Sequence, residues 1–443
     1  MRVYAIGGYS EVGRNMTLLE IGEDAFIFDM GLYMPAIVEL EEKEKVSGEV
    51  LEKIGALPDI TPIKHLTKKV RAIVIGHAHL DHVGAAPYIA YNFDAPIIAS
   101  GFTVEVLKDL ANDLTKEDKE RFKNKFIKLN PNSTYKIEGK SGSYELELVH
   151  ITHSIPQSCA IFLRSKEGNV LYTNDYKVDN NPLVGGKFNY EKFRKLGEEG
   201  IKLLITEALY ADEERKTYSE IIAREMLRDV MLNVDTDGII ATTFSSHIAR
   251  LKSIVDFGKQ LGREVLFFGR SLKRYVQAAI NADICPFKDD IKLLSFKKQM
   301  ERYFKKVERN RRQYLVVCTG HQGEPGSALD RLSRNAFSYK LGHKDSVIFS
   351  TRVIPTPINQ ANRELVESRL IKKKVRIYAD VHVSGHAGRE DMRDMIRLLS
   401  PEIILPSHGG LQKRSAFAEL ASEEGYKINK DVLLLENGAS AEI

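Results

Sequence analysis

Four side chains of types that commonly bind zinc lie within one six-residue stretch. They are His77, His79, Asp81 and His82. The stretch follows the apolar run Val70 to Ile75, which predicts a buried strand that ends at these residues. Two histidines that are two residues apart in an extended turn point to one side, so the aspartate and the third histidine would face a second position. The spacing predicts a metal site; an ordinary polar loop between a strand and a helix is the alternative.

Three more residues of ligand type come directly after other predicted strands. They are His153, Asp175 and His408, after strands predicted at 145–151, 170–173 and 403–406. Side chains at the same end of neighbouring strands can converge even when they are distant in sequence. A lone histidine is more often a core residue, but these positions at strand ends favour ligands.

The pattern predicts two zinc ions per chain. The first would be held by His77, His79, His153 and Asp175, and the second by Asp81, His82, His408 and the bridging Asp175. Two zinc ions about 3.5 to 4 Å apart can hold a bridging hydroxide and neutralise oxygens that develop charge, which is hydrolytic chemistry. Asp29, at the end of another predicted strand, is expected to orient a ligand imidazole, with a turn cap as the alternative.

The segment His382 to His386 is a second dense cluster, with too few ligands for its own metal. Its serine and glycine would leave room for a close approach of substrate. A histidine beside a two-zinc centre can protonate a leaving oxygen, and a carboxylate such as Glu207 can keep that histidine charged. Alternatively, both histidines cap a turn.

Short apolar strands separated by turn residues dominate the first third of the chain. The charged stretch Glu39 to Lys69 interrupts them as a helical insertion, and Lys116 to Lys128 is predicted to form a solvated helix. From about Ile201, repeated strand, polar loop and helix predict a parallel sheet. Its strands are predicted at 203–206, 238–243, 264–268, 314–318 and 346–350.

The loops after these parallel strands carry hydroxyls and small residues. Ser246, Arg270 and His321 lie in three of them and are candidates for phosphate contact, because backbone amides and helix N-termini point there. For any single loop ordinary helix capping is the better explanation, but four loops in one region favour a binding surface. Further strands at 376–383, 403–406 and 432–435 and a helix at 389–399 indicate a domain that the parallel region splits.

Composition narrows the class of protein. With 443 residues and a net charge of +4, the chain has room for two or three domains and is too mildly basic to predict a nucleic-acid partner from charge alone. No apolar run approaches the about 20 residues of a membrane span, and no secretory signal is expected. The three cysteines form no CxxC pair, which fits a reducing cytoplasm.

The segment 76–84, GHAHLDHVG, resembles the signature of the metallo-beta-lactamase superfamily. The long insertion after Glu207 and the segments 382–387 and 406–409 are similar to its beta-CASP branch, whose members cleave nucleic acids. Segments 7–15, 152–156, 319–325 and 382–386 resemble the ribonuclease J family, over essentially the whole chain. The resemblance implies an α/β fold: a metallo-beta-lactamase αββα sandwich at 1–208 and 379–443, with a beta-CASP domain inserted at 209–378.

The resemblance also implies an activity. The enzyme would degrade single-stranded RNA from 5′ to 3′ by attack of a dizinc hydroxide on the phosphodiester, favouring 5′-monophosphate ends and releasing nucleoside 5′-monophosphates. The catalytic set would be His386 as general acid, its partner Glu207, and Asp81. His382 and Ser384 would contact phosphate.

Two features of the sequence depart from the usual pattern of the family, and three other functions remain as alternatives. The chain ends 35 residues after His408, as in archaeal members without the extra C-terminal domain, so dimerisation through that domain is not expected and a homodimer of another kind is left open. Asn174-Asp175-Tyr176 stands where Gly-Asp-Phe is more usual.

The alternatives are an RNA endonuclease of the 3′-end-processing type, a catalytically silent RNA-binding subunit, and a small-molecule hydrolase. The complete ligand set disfavours the second, and the large insertion disfavours the third.

The basic run Lys297 to Arg312, with interleaved aromatic residues, is a further candidate for RNA binding. A solvated amphipathic helix is slightly favoured, because Glu301 and Glu308 interrupt the run.

Overall fold

The computed structural model describes residues 1–38 and 46–443. Of the predicted insertion Glu39 to Lys69, residues 39–45 lie outside the described residues, and Thr61–Lys69 is a 3-10 helix. The elements up to residue 207 are, in chain order, β1 (Arg2–Gly7), β2 (Met16–Ile21), β3 (Asp24–Phe28), α1 (Met34–Ile37), α2 (Gly48–Lys53), β4 (Val70–Ile75), α3 (Leu80–Val83), α4 (Ala86–Ile89), β5 (Ile97–Ala99), α5 (Gly101–Asp113), α6 (Lys116–Arg121), β6 (Phe126–Lys128), β7 (Ser133–Glu138), β8 (Ser143–His150), β9 (Cys159–Arg164), β10 (Val170–Tyr172), α7 (Tyr190–Glu198) and β11 (Leu203–Glu207).

The rest of the chain alternates strands and helices. The elements are α8 (Glu220–Asn233), β12 (Gly238–Thr242), α9 (Ile248–Gln260), β13 (Glu264–Phe268), α10 (Arg270–Asn281), β14 (Ile291–Leu294), α11 (Lys297–Arg309), β15 (Tyr314–Cys318), α12 (Ala328–Ser333), β16 (Asp345–Phe349), α13 (Pro357–Lys372), β17 (Arg376–Tyr378), α14 (Arg389–Leu399), β18 (Ile403–Ser407), α15 (Leu411–Glu423) and β19 (Ser440–Glu442).

Two sheets form a sandwich with helices on both outer faces. Their strand orders are β19-β1-β2-β3-β4-β5-β6 and β18-β11-β10-β9-β8-β7. Apolar side chains such as Phe26 and Leu146 fill the space between the sheets. The outer face of the first sheet packs against α5, and that of the second packs against α7, α14 and α15. This is the αββα arrangement that the resemblance implies.

The third sheet is parallel throughout, in the order β14-β13-β15-β12-β16-β17. Separate apolar clusters cover its two faces. One of these clusters includes Phe102 and Ile155 of the sandwich, so this inserted region packs directly against the first. An ion pair of 2.6 Å between Arg274 in α10 and Asp109 in α5 joins the same two surfaces.

Several elements differ from the sequence prediction. The helix at 116–128 ends at Arg121, because Phe122 and Phe126 turn into the core and the chain then forms β6. The strand at 203–206 pairs with β10 and β18 in the sandwich rather than joining the parallel sheet. The strand at 376–383 ends at Tyr378, and 432–435 contributes isolated bridges at Val432. The prediction also missed β7, β9, β14 and β19, although the apolar run Cys159 to Leu163 in β9 is typical of a buried strand.

All three cysteines are buried, free thiols. No helix among the described residues is both long enough and apolar enough to cross a membrane.

Candidate active site

The loop between β4 and α3 holds the densest group of predicted ligands. β4 ends at Ile75, and the amide of Gly76 donates to Asp29 Oδ1 at 2.8 Å, just beyond the end of β3. The backbone stays extended through His79, with φ −71° and ψ 145°, before α3 begins. Because of this change in backbone direction, the first two histidines lie ahead of the helix, whereas Asp81 and His82 lie in its first turn.

The first predicted metal group comes together at this loop. Ligand atoms of His77, His79, His153 and Asp175 all lie within 4.8 Å of one another. His79 Nδ1 lies 3.1 Å from His77 Nε2 and 3.2 Å from His153 Nε2. Three ring nitrogens therefore face one point, although His153 comes from the opposite sheet of the sandwich.

The second predicted group lies beside the first. Ligand atoms of Asp81, His82, Asp175 and His408 also lie within 4.8 Å of one another. His82 Nε2 is 3.0 Å from Asp175 Oδ2, and His408 Nδ1 is 3.6 Å from Asp175 Oδ1. Asp175 thus contributes an oxygen to each of the two groups, as the sequence leads us to expect.

The donor set fits metal cations. Asp175 Oδ1 is buried and has no hydrogen-bond partner in the described part of the chain. A carboxylate oxygen in such a place is costly unless a cation compensates it. Imidazole and carboxylate ligands of this kind suit zinc, and these residues can hold one or two ions.

The protonation states also suit metal binding. Burial lowers the pKa of His79 to about 4 and holds the pKa values of His77 and His153 well below the usual range. These rings are therefore neutral at pH 7, as ligands must be. Burial opposes charge on His82 as well, but nearby carboxylates, Asp175 foremost, raise its pKa well above the usual range. A metal cation could take the place of that proton, because it would compensate the same negative charge of the carboxylates around His82.

The second ring nitrogen of several ligand histidines has its own partner. His82 Nδ1 lies 2.7 Å from Asp29 Oδ2, where the sequence predicts an orienting carboxylate. The other pairs are His77 Nδ1 with Asn174 Oδ1 at 3.0 Å, His153 Nδ1 with the Gly385 carbonyl at 2.7 Å, and His79 Nε2 with Ser246 Oγ at 3.1 Å. Such partners fix the tautomer and orientation of a ligand ring.

Some of these partners come from residues whose role the sequence reasoning missed. Asn174 is one of them. Asn15 is a further contact that the sequence reasoning missed, but on the other side of the rings: its Nδ2 lies 2.9 Å from His82 Nε2 and 2.8 Å from His408 Nδ1, the nitrogens that face Asp175. The only signal for Asn15 was its place at the end of the motif 7–15. Asp29, Asn174 and His408 have φ values of 60°, 64° and 52°. Left-handed backbone is uncommon among non-glycine residues, although Asn, Asp and His adopt it more readily than most, and it often occurs at functional sites.

His386 lies next to the second metal group. Its Nδ1 is 2.7 Å from Glu207 Oε2 and 3.8 Å from Asp175 Oδ2. Burial disfavours the charged ring, but Glu207 and Asp175 outweigh it and raise the pKa of His386 to about 9. His386 is therefore an imidazolium at neutral pH and can donate a proton from its other nitrogen.

The segment 379–388, which contains both predicted histidines, is held by Arg250, by Thr217 and by a hydrogen bond within the segment. Arg250 of α9 donates to the Val381 carbonyl at 3.3 Å and lies 3.4 Å from His382 Nδ1. Thr217 Oγ1 donates to the His386 carbonyl at 2.6 Å, and the His386 amide donates to Ser384 Oγ at 3.1 Å.

Arg250 itself is completely buried. Its guanidinium forms a bidentate ion pair with Glu220, with Nε 2.5 Å from Oε1 and Nη2 2.9 Å from Oε2. It also donates to the Ser350 carbonyl at 3.0 Å. Burial and the adjacent Arg250 lower the pKa of His382 to about 2, so His382 is neutral.

Gly385 corrects one sequence interpretation. A Cβ at this position would lie 2.6 Å from Ser154 Cβ and 3.2 Å from His153 Cε1. The glycine therefore lets the chain approach a ligand histidine, rather than leaving room for substrate.

The remaining predicted contact residues lie at the carboxyl ends of the parallel strands. Ser246 is buried against His79, whereas Arg270 is exposed in the first turn of α10. The His321 ring packs on Phe244 at 4.4 Å, and Phe244 also contacts His382 at 6.3 Å. Tyr210, which no local sequence pattern marked, lies edge-on to His386 at 6.1 Å. Together these side chains line one face beside the metal groups.

Comparison with known families gives three matches along the chain. Residues 9–229 match the metallo-beta-lactamase superfamily, 236–367 match the "Ribonuclease J, beta-CASP domain", and 371–433 match the "Zn-dependent metallo-hydrolase RNA specificity domain". The central match covers most of the parallel sheet, and the last spans the segment with His382 and His386.

Two similar proteins are named Ribonuclease J. The one from Methanocaldococcus jannaschii is 40% identical over 99% of this chain and 98% of its own length, and the one from Pyrococcus abyssi is 40% identical over 100% and 97%. A crystal structure of a protein of unknown function from Enterococcus faecalis V583 has the same fold, with a TM-score of 0.67 at 18% identity over 99% of both chains. With this identity along nearly its full length, the chain belongs to the ribonuclease J family of metallo-beta-lactamase and beta-CASP nucleases.

Proposed function

We propose that this protein is a zinc-dependent ribonuclease that degrades single-stranded RNA from 5′ to 3′. It would favour 5′-monophosphate ends and release nucleoside 5′-monophosphates. The observation that supports the proposal most is Asp175, which is shared by two adjacent ligand groups and has a buried, unpartnered oxygen. The relatives named Ribonuclease J and the match to an RNA specificity domain support RNA as the substrate.

Two zinc ions held by the two groups would supply an activated water and would neutralise charge that develops on the phosphate oxygens. The chain's own residues would supply the proton. With its Nδ1 held by Glu207, His386 would donate from Nε2 to the oxygen that leaves as the phosphodiester breaks. Asp81 would take part as a ligand of the second ion.

RNA would lie along the face between the metal groups and the carboxyl ends of the parallel strands. His382 and Ser384 are proposed to contact phosphate, together with Arg270 and His321. Because His382 is neutral, it would bind phosphate by a hydrogen bond and not by a positive charge. Domain boundaries at 208/209 and 378/379, and a cytoplasmic location, belong to the same proposal.

Product analysis on three RNAs tests this proposal. The three RNAs have the same sequence and differ only at the 5′ end. One carries a 5′-monophosphate, one carries a 5′-triphosphate, and the third is circular and has no end. We expect mononucleotides, fastest from the monophosphate, and no product from the circle or from His79→Ala protein. Cleavage of the circle would instead establish the endonuclease alternative. Activity that survives a chelator would exclude the metal mechanism.

A further inference from the structure

Helix α11 carries six exposed cations and begins beside the proposed RNA face. They are Lys297, Lys298, Arg302, Lys305, Lys306 and Arg309. Within residues 1–38 and 46–443, no carboxylate forms an ion pair with any of the six. Together with Phe296 and Tyr303, these residues are called the α11 strip below.

The two glutamates that interrupt the basic run are partly buried, and both are bonded to residues outside the six cations. Glu301 accepts hydrogen bonds from the amide and hydroxyl of Ser338. Glu308 pairs with Arg311 at 2.9 Å and accepts from the Lys340 amide at 2.9 Å. Both carboxylates therefore hold the segment 338–340, and the exposed residues of the helix are the six cations and the neutral Gln299.

Two aromatic rings lie within this positive surface. Phe296, which precedes the helix, is 62% exposed, and Lys273 Nζ lies 4.9 Å from its ring centre. Tyr303 is half-buried, with Lys306 Nζ 4.8 Å from its ring. Unpaired bases stack on aromatic rings that lie in positively charged grooves and surfaces of this kind.

A chain of contacts connects the strip to the metal groups. The amide of Gly269 donates to the Leu294 carbonyl at 3.2 Å, so Phe296 lies near the first turn of α10. In that turn, Ser271 Oγ lies 2.9 Å from Ser245 Oγ, and the next residue, Ser246, contacts His79. The strip thus begins at the proposed RNA face, and its 13-residue helix extends about 20 Å away from it.

We infer that the α11 strip is a second binding site for single-stranded RNA, continuous with the active site. Phe296 stacks on a base and the six cations bind backbone phosphates. This inference rests on the proposed function, because it assumes that RNA enters the site. The substrate must be long enough to reach from the metal groups to the helix.

The test compares a trinucleotide with an RNA of about 20 nucleotides, each with a 5′-monophosphate. One variant replaces Arg302, Lys305, Lys306 and Arg309 with serine. The charge-matched control replaces four exposed lysines of the sandwich, Lys116, Lys119, Lys123 and Lys125, with serine. KM, kcat and the salt dependence of binding are measured for all proteins.

We expect the strip variant to raise KM for the long RNA about 10-fold or more, with kcat and trinucleotide cleavage unchanged. The slope of log affinity against log salt should fall by about 2 to 3, since each lost phosphate contact removes about 0.7 for a single strand. The control should change neither value. Equal changes in the two variants, or an equal loss on the trinucleotide, would overturn the inference. Failure of the wild-type protein to cleave either RNA would instead refute the proposed function.

A second variant tests stacking separately from charge. Phe296→Ala should weaken binding of the long RNA about 5- to 150-fold, which corresponds to about 1 to 3 kcal/mol per base, and should not affect an abasic strand of the same length. Tyr91→Ala is the matched control, because Tyr91 is also exposed, at 39%, with Arg121 5.7 Å from its ring. If Phe296→Ala weakens both strands equally, or if an acidic peptide competes as well as RNA does, the strip does not recognise bases and the inference fails.

Discussion

Glu207 and His386 are 179 residues apart in sequence, yet the His386 ring lies 2.7 Å from the Glu207 carboxylate. β11 ends at Glu207 in the second sheet, whereas His386 lies in the segment before α14. The same carboxylate accepts from the Tyr176 amide at 2.8 Å, beside Asp175. One buried side chain therefore sets both the charge of the proposed proton donor and its position against Asp175.

Glu207→Gln should lower the pKa of His386 from about 9 toward its usual value of about 6.5. The proton donor would then lose its proton at lower pH. The alkaline limb of the profile of kcat against pH should therefore move to lower pH, and activity at pH 8 should fall about 10-fold or more. Glu207→Asp, which keeps the charge, should shift the limb less. Profiles measured with fully loaded zinc check this; an unmoved limb in the glutamine variant would mean that His386 is not the donor.

If both groups bind zinc as proposed, Asp175→Asn should bind less zinc per chain than the wild type, because the carboxylate common to both groups loses its charge. Elemental analysis after dialysis against low zinc measures the loss, and the melting temperature in excess zinc should rise less than for the wild type. Asp24→Asn is the control, since Asp24 is also fully buried but bonds to Arg71 and to the amides of residues 140 and 141. Equal metal content in Asp175→Asn and wild type would contradict the bridging assignment.

Ser246→Ala should weaken zinc binding or activity about 10- to 100-fold, the usual effect of removing the partner of a ligand imidazole. Ser245→Ala is the neighbouring control, because that hydroxyl contacts Ser271 instead of a ligand. Zinc affinity and KM for RNA separate the two roles proposed for Ser246. A higher KM at unchanged zinc affinity would make it a substrate contact alone.

Arg250→Met should destabilise the fold by about 3 to 5 kcal/mol, because it leaves the Glu220 carboxylate buried without its partner. Urea unfolding measures the loss. Adding Glu220→Leu should recover most of the stability, since two apolar residues can replace a buried ion pair.

The double variant separates stability from positioning. It should still bind RNA more weakly than the wild type, because the contacts of Arg250 with Val381 and His382 remain absent. Full recovery of both stability and RNA affinity would show that Arg250 does not position the segment 379–388.

Much of the site was predictable from local sequence. The density of ligand types at 77–82 and the position of His153, Asp175 and His408 after apolar runs predicted the two ligand groups, because strand ends of one sandwich meet at one edge. The family and its αββα sandwich were expected from the resemblance of short motifs, and the inserted parallel domain from the alternation of strands and helices; the family matches and strand pairings confirm them. These features depend on residues close in sequence or on general rules of sheet topology.

Other features depended on contacts between distant segments. Asn15, Ser246 and Gly385 touch ligand rings from three separate parts of the chain, and no pattern around them indicates that contact. The exposed face of α11 became clear only when Glu301 and Glu308 were found bonded to 338–340, since charge order in sequence does not show which way each side chain points. The sequence by itself therefore determined the family, the ligand types and their approximate grouping. Only the tertiary structure decided which residues orient the ligand side chains by hydrogen bonds, and which of those side chains are charged or neutral. Burial and long-range hydrogen bonds, which set both properties, exist only in the folded chain.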